Sequence, residues 1–415
     1  MKLCIYQDRT RVGELFTNAQ GIFFSYATSY LQSGAYPISL SLPLQQEPFP
    51  EKVALPFFEG LLLEEQQRIE ISKYLGTSSA SIMRLLKSLA GDCVGNLTIL
   101  DEDTDIETIN QKNSYRKLSS HELESLLKPQ SAERLRFIVQ GRLSLAGAQA
   151  KVGLFKNNSR WYATEGLAAT THIVKPASST HESLLANEFF MMQLAHACGL
   201  QTATTEVLTA GAKHALTSKR FDRLHTSEGV IRLSQEDFCQ ALAVLSQKKY
   251  EIDGGPGFKQ LFQTVLLNVS KPQQNLQQLL KLTLFNYLIG NCDAHAKNYS
   301  LLRDHQVGNL ELAPAYDLIS TTFYDVFERS MAMKIGNHSH IDRINAIDFE
   351  LFADEVGISM QAISAELATL HTSIEQSLSE VTALVVETVP DSNKNATKLR
   401  KHIEQELTQR GSILN

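Results

Sequence analysis

The alternation of apolar and polar positions changes character along the chain. In the first hundred residues its period is short. Met1–Tyr6 and Gly13–Phe24 read as a hairpin, Ile38–Leu44 alternates apolar with small polar residues, and Leu97–Leu100 reads as a strand after the turn-rich Gly91–Asn96. Helical spacing appears between them at Phe57–Leu63 and Ser79–Leu89, with Pro43, Pro48, Pro50 and Pro56 as punctuation. From about Ser131 the pattern predicts another β-rich stretch. Val152–Phe155 and Trp161–Ala163 flank the turn Lys156–Ser159, followed by short strands at His172–Lys175 and Ala215–Phe221. One helix interrupts it at Glu182–Cys198, where Leu185, Phe189, Met192 and Ala195 share a face and Gly199 ends the run. Beyond Phe221 the period becomes helical. Helices are expected at Gln235–Leu245 with Ser234 as N-cap, and at Gly257–Leu267, Gln274–Ile289, Asp348–Val356, Ser359–Val386 and Asn395–Leu407. A β-rich part followed by an α-rich part predicts an α+β enzyme of two lobes.

Composition narrows the classes. The chain has 415 residues with 43% hydrophobic and 20% charged, enough apolar material for large cores and too much for wholesale disorder. With 39 Lys+Arg against 45 Asp+Glu the net charge is -6, which argues against gripping nucleic acid by bulk charge. The one marked charge run, Asp101–Glu107, reads as a solvated linker. The 5 cysteines form no CxxC pair, so reduced thiols are expected, and neither a disulfide framework nor a zinc ribbon. No long apolar segment or leader is visible, and a soluble, cytoplasmic protein is expected.

The densest polar cluster is Gly290-Asn-Cys-Asp-Ala-His-Ala-Lys-Asn-Tyr-Ser300, directly after an apolar helix. Asp, Asn and Gly favour turns, so a surface loop is the plain alternative. The chemical reading is that Asp293 accepts a hydroxyl proton while Asn298, five positions on, offers an amide oxygen to a hard cation. Protein-kinase catalytic loops use this Asp-x-x-x-x-Asn spacing. Nineteen residues after Asn298 stands Asp317, and the two together could hold magnesium against phosphate oxygens. Upstream, Ser144-Leu-Ala-Gly-Ala-Gln-Ala-Lys151 is a loop of small residues whose backbone N–H groups could approach phosphates, although a tight turn alone explains it as well. Lys175 ends a strand, as kinase phosphate-binding lysines do, and Glu188 on the next helix could pair with it; a snorkelling lysine and a surface carboxylate are the plain alternatives. In Arg220-Phe-Asp-Arg223 an exposed backbone could meet adenine while Phe221 walls the pocket; a charged turn with one buried Phe is the alternative.

These segments occur in order with others: Thr171–Pro176, Asn187-Glu188, Gln235–Gln240, Lys249-Tyr-Glu251, Pro314-Ala-Tyr-Asp317 and Met333–Gly336. Together they resemble the HipA family of serine/threonine kinases, toxins of bacterial HipBA toxin–antitoxin modules. Leu42-Pro43 and Pro56-Phe-Phe-Glu-Gly60 resemble that family's N-terminal domain. The resemblance implies an N-terminal domain over 1–110, a kinase N-lobe with the ATP loop over 111–225 and a helical catalytic lobe over 226–415. It implies ATP and Mg2+ as cofactors, Asp293 as catalytic base, Asn298 and Asp317 as metal ligands, and Lys175 on phosphate. The remaining nucleotide-facing residues would be Ser144, Ala146, Gly147, Ala148, Gln149 and Lys151 of the loop, with His295 and Lys297. Lys219 and Phe221 would face adenine through their backbone and Asp222 would lie near the ribose. Ser144 would be an autophosphorylation site and off-switch. The implied partners are a HipB-like helix-turn-helix antitoxin, operator DNA through that antitoxin alone, and glutamate–tRNA ligase as substrate, with no membrane.

Two departures stand out. Leu63-Glu-Glu65 replaces the Pro-Glu-Gly that often follows in the family, and Ala177–Ala186 is a stretch of its own. Two rival readings exist: a pseudokinase kept for binding antitoxin and DNA, and a lipid kinase. The presence of every polar position needed for transfer favours the enzyme over the first. The lack of a basic or amphipathic membrane segment counts against the second.

Overall fold

A computed structural model describes residues 1–128, 131–147, 149–178, 183–227, 229–304 and 308–411. Two compact units emerge. One comprises Met1–Ala177, Leu208–Gln247 and Leu302–Gly308; the other comprises Ser178–Val207, Lys248–Leu301 and Asn309–Asn415.

The first unit is built on two sheets. Gly21–Tyr26, Thr10–Asn18, Lys2–Gln7 and Leu97–Asp101 lie side by side in that order. The expected arm Gly13–Phe24 is therefore two strands, because Asn18–Gly21 makes a turn inside it. In the second sheet the order Lys213–Lys219, His172–Pro176, Val152–Asn157, Arg160–Glu165, Ser114–Lys117 contains the hairpin expected around Lys156–Ser159. One apolar cluster runs from Leu3, Leu15 and Phe24 through Phe57, Phe58 and Leu85 to Val152 and Val174. That continuity is why 1–110 and 111–177 are one body. The acidic run is part of it as well: Asp101 pairs with Lys87, and the Asp105 carboxylate caps the short helix Ile106–Asn110.

One expected helix is corrected. Ser234–Asp237 is a strand, and the helix that follows is short, Phe238–Ala241, with Asp237 and Gln240 forming its capping box. Residues 234 and 236 are drawn into extended backbone by polar partners. Ser234 donates to Asn96, and the buried Glu236 carboxylate accepts from the Ser39 hydroxyl and the Leu40 N–H.

The first unit also holds a buried ion network. Asp92 is fully buried and takes Arg223 at 2.8 Å, Arg232 at 3.1 Å and Arg220 at 3.3 Å. Asp222 joins with Arg220 at 2.7 Å, Arg223 at 2.9 Å and the Gly95 N–H at 2.7 Å. Burial pushes both carboxyl groups up, but the guanidinium groups outweigh it and hold both below the ordinary carboxylate range.

The second unit is mostly helical, with short strands at Leu310–Leu312, Ser330–Ile335 and His338–His340. Its helices are Leu184–Ala197, Phe258–Asn268, Pro272–Leu288, Ala346–Val356, Met360–Thr388 and Asn393–Gly411. Each agrees with the apolar period to within a few residues, although Glu182 of the first lies outside the described residues. The stripe Ile363, Leu367, Leu370, Ile374, Leu378, Val381 and Val385 keeps the long helix buried along one face. Each such side chain contributes about 1.5–3 kcal/mol. Leu184–Ala197 packs on it, which is why this helix belongs to the second unit although it precedes Phe221 in the chain. Among the described residues no helix is long and apolar enough to cross a membrane.

Asp92→Asn should lower the unfolding free energy by about 3–5 kcal/mol, since buried arginines lose their counter-charge. The pH dependence follows from the depressed carboxyl values. The stability that Asp92 and Asp222 contribute is complete above the unfolded carboxylate pKa of about 3.9 and is lost as pH falls through the lower folded values. Urea denaturation of both proteins between pH 3 and 7 measures it; a loss below about 1 kcal/mol at pH 7 would remove the network from the stabilising contacts.

Candidate active site

In the second unit the helix Pro272–Leu288 ends by handing the chain to Gly290, which sits at φ +70°. Only glycine serves there, because a Cβ would collide with the Thr322 side chain. Thr321 does the rest of the clamping. Its hydroxyl donates to the Gly290 carbonyl at 3.1 Å and accepts the Cys292 N–H at 2.8 Å. Asn291 is fixed to Asn286 at 2.9 Å and accepts the Asp293 N–H at 3.2 Å. Asn187, on the helix Leu184–Ala197, exchanges two 2.9 Å hydrogen bonds with the backbone of Ser320. Thr322 shares a 3.0 Å hydrogen bond with His402 of the last helix. Burial, with Arg410 and Arg329 nearby, lowers that histidine to about 4 and keeps it neutral near pH 7.

The loop so held is buried from Asn291 to Ser300 except at Asp293, which is exposed, and Asn298, which is half-buried. These are the two residues singled out for chemistry. The Asp293 carbonyl accepts the Asn298 amide at 3.0 Å and the His295 N–H at 2.8 Å. Because Asn298 spends its nitrogen in this way, its amide oxygen is the end that can meet a cation. His295 and Lys297 are buried within the loop.

Tyr316 ties the second acidic segment to this one. Its hydroxyl donates to the Lys297 carbonyl at 2.6 Å and accepts from Ser300 at 2.7 Å. The next residue, Asp317, is half-buried at φ +60°, a conformation that non-glycine residues avoid and that clusters at functional sites. Among the described residues no three His, Cys, Asp or Glu side chains form a metal cage by themselves. An Asn–Asp pair suits magnesium, which binds through one or two protein oxygens and completes its shell with phosphate and water.

In the first unit Leu143–Ser144 pairs in parallel with Asp92–Cys93, so the phosphate-loop candidate starts on a strand. Ser144 is 0% exposed and its hydroxyl donates to the Leu61 carbonyl at 2.6 Å. The Lys151 ammonium donates to the Ala146 carbonyl at 2.7 Å, folding back over the loop. Gly147 at φ +104° makes room for it, since a Cβ there would strike that ammonium. Gln149 is half-buried, and Ala148 lies outside the described residues. Lys175 occupies the half-buried face of its strand, opposite Leu216.

Lys219 is exposed and Phe221 half-buried, both at the end of the strand Lys213–Lys219. Asp222 differs from what its motif suggests. The structure gives its carboxylate to Arg220, Arg223 and Gly95 inside the unit, a structural role where sequence reasoning had given it a ribose.

The departure at Leu63–Glu65 lies against this loop. Leu63 bridges Gly147, and the Glu64 N–H donates to the Gly147 carbonyl at 3.3 Å. Glu65 stands at φ +45° where the family often has glycine.

Residues 3–100 match the family model described as the HipA N-terminal domain, and residues 143–382 match the HipA-like C-terminal domain. The chain belongs to the HipA family. It is 36% identical to a putative kinase of Sinorhizobium fredii over 94% of this chain and 93% of that one. Identity to the serine/threonine-protein kinase toxin HipA of Shewanella oneidensis is 28%, over 96% of this chain and 92% of the relative. Among solved structures, a chain of the Shewanella oneidensis complex of HipA, HipB and operator DNA superposes with TM-score 0.85 at 27% identity, covering 99% of this chain and 98% of that one. The fold is thus the α+β kinase-like fold of HipA, and the chain is a serine/threonine protein kinase.

Sequence reasoning left Thr321, Tyr316 and Asn291 without roles, since a residue that clamps a loop has no motif of its own. Tyr250 also went unassigned, although it stands inside the quoted Lys249-Tyr-Glu251; its hydroxyl donates to Asp293 Oδ1 at 2.7 Å.

Replacing Glu65 by glycine should raise stability by about 0.5–1 kcal/mol: left-handed strain of about 1–2 kcal/mol is relieved, offset by the entropy glycine loses on folding. Melting temperatures of the two proteins decide it, and a lower value for the glycine form would show that the Glu65 side chain holds the turn.

Proposed function

We propose that this kinase is the toxin of a toxin–antitoxin module, transferring the γ-phosphoryl group of ATP to a serine hydroxyl of a protein substrate in the cytoplasm, with glutamate–tRNA ligase as that substrate. The observation that carries the reading is the catalytic loop: a buried, clamped scaffold from which only Asp293 and Asn298 reach outward.

Asp293 orients the acceptor hydroxyl and takes its proton. The hydroxyl oxygen forms a bond to the γ-phosphorus as the bond to the β-phosphate oxygen breaks, and ADP leaves. Asn298 and Asp317 would hold Mg2+, which supplies charge neutralisation on the phosphate oxygens. Lys175 adds a cation on the phosphates. The loop Ser144–Lys151 follows their contour with its backbone, Ala146, Gly147 and Gln149 among its members. Lys219 and Phe221 present backbone to adenine, and His295 and Lys297 complete the nucleotide-facing loop of the second unit. A small helix-turn-helix antitoxin is the proposed partner. The chain's own charge of -6 leaves operator binding to that protein.

Autophosphorylation at Ser144 is the proposed off-switch, and burial supports it. A phosphate of about -1.5 to -2 charge cannot remain where a fully enclosed hydroxyl sits against a carbonyl, so modification would expel Leu143–Ser144 from its pairing and take the phosphate loop with it.

Asp293→Asn should keep the fold and nucleotide binding while turnover with γ-labelled ATP falls by about a thousandfold or more. A variant with wild-type turnover would end the assignment of the base.

Phosphorylated Ser144 should cost the protein most of its ATP affinity, and Ser144→Ala should abolish any decay of activity during incubation with ATP. Calorimetric titration of ATP into the unmodified and modified protein provides the measurement; equal affinities would mean that no such switch exists.

A further inference from the structure

We propose that Tyr250 is a positioning residue for phosphoryl transfer, holding one oxygen of the Asp293 carboxylate so that the other faces the substrate hydroxyl. This rests on the reading of Asp293 as the base.

The backbone of Asp293 is fixed on both sides, by Asn291 at its N–H and by Asn298 and His295 at its carbonyl. Those bonds do not set the side-chain torsions. The two oxygens of a carboxylate are chemically equivalent, and a hydrogen bond to one of them sets it apart from the other. The 2.7 Å hydrogen bond from the Tyr250 hydroxyl to Oδ1 does so. A phenol donor suits the task because it carries no charge to compete with the proton being moved.

Tyr250 is in turn held more firmly than a bystander would be. Its ring stands edge-on to the His295 ring, centroids 5.3 Å apart at 81°. The Lys249 ammonium lies 5.6 Å from its ring centre, and the Lys249 carbonyl accepts the Ala296 N–H at 3.4 Å. Its own carbonyl accepts the N–H groups of Asp253 at 3.1 Å and Gly255 at 3.0 Å, closing a tight turn. On the far side Glu251 takes the Lys334 N–H at 2.8 Å. The phenol oxygen is thereby delivered to Asp293 by a segment anchored at both ends to the same unit. A tyrosine needed only to pack on His295 would do so without its hydroxyl.

The test follows from that last distinction. Tyr250→Phe keeps the ring, the turn and the packing on His295 and removes one oxygen. With γ-labelled ATP and the acceptor that the wild type labels, kcat should fall by about 10- to 100-fold. The KM for ATP should stay within about twofold of wild type and the melting temperature should not change. Wild-type kcat in this variant would overturn the proposal, and so would a loss of kcat matched by a lost affinity for ATP or a lowered melting temperature, which would make Tyr250 structural. Asp293→Asn assayed beside it separates the two claims. If it is inert while Tyr250→Phe is fully active, only the positioning role fails; if it turns over normally, the reading of the base fails instead.

Discussion

The buried pairing of Asp92 with three arginines is the constraint on which the first unit turns. Asp92 opens the short strand Asp92–Cys93 that follows the helix Ile82–Leu89, Arg220 follows the strand Lys213–Lys219, Arg223 opens the strand Arg223–Thr226, and Arg232 ends the strand Gly229–Arg232. Burial of any one of these charges alone would cost several kcal/mol, so each is admitted to the interior only if the others arrive with it. The same two residues that start the network, Asp92 and Cys93, carry the parallel pairing to Leu143–Ser144. The strand that opens the loop Ser144–Lys151 is therefore placed by a network whose members are far from it in sequence. Thr170, which bonds Asp92 at 2.6 Å and Arg220 at 2.9 Å, extends that control to the start of the strand bearing Lys175.

The second unit solves a different problem by different means. The loop from Gly290 to Ser300 stays largely buried while Asp293 stands exposed. Neutral hydrogen bonds fix much of the loop Gly290–Ser300: Thr321 to Gly290 and Cys292, Asn291 to Asn286, Tyr316 to Lys297. The helices contribute rigidity at a distance through Asn187 and through His402, which burial keeps neutral. Positional precision here comes from saturating backbone groups, a local cost of about 1–3 kcal/mol for each buried group left unmade.

Much of this was legible in the sequence. The helices of the second unit were so, because seven buried aliphatic positions spaced three and four apart on Met360–Thr388 specify a face whatever packs on it; its short strands Leu310–Leu312, Ser330–Ile335 and His338–His340 were not. The polar cluster Gly290–Ser300 was legible as a distinct loop, and within it Asp293 and Asn298 are the residues that are not buried. What escaped was anything decided by partners distant in the chain. Ser234 has the composition of a helix cap, yet its hydroxyl bonds Asn96 and the backbone extends. Asp222 sits in a motif that suggests a ligand, but two arginines and a buried N–H claim it. The run Asp101–Glu107 looks like a linker, but Lys87 and the cap at Asp105 bind it to the first unit.

Glu65 shows how a departure from a family pattern can be physically informative. Glycine tolerates a left-handed turn, and a glutamate in the same turn at φ +45° retains the conformation only because its surroundings dictate it. Here the dictating contacts are the bridge from Leu63 to Gly147, the bond from Glu64 to the Gly147 carbonyl, and the bond from Arg68 to the Leu63 carbonyl at 2.7 Å. What this segment supports is Gly147, whose missing side chain leaves room for the Lys151 ammonium.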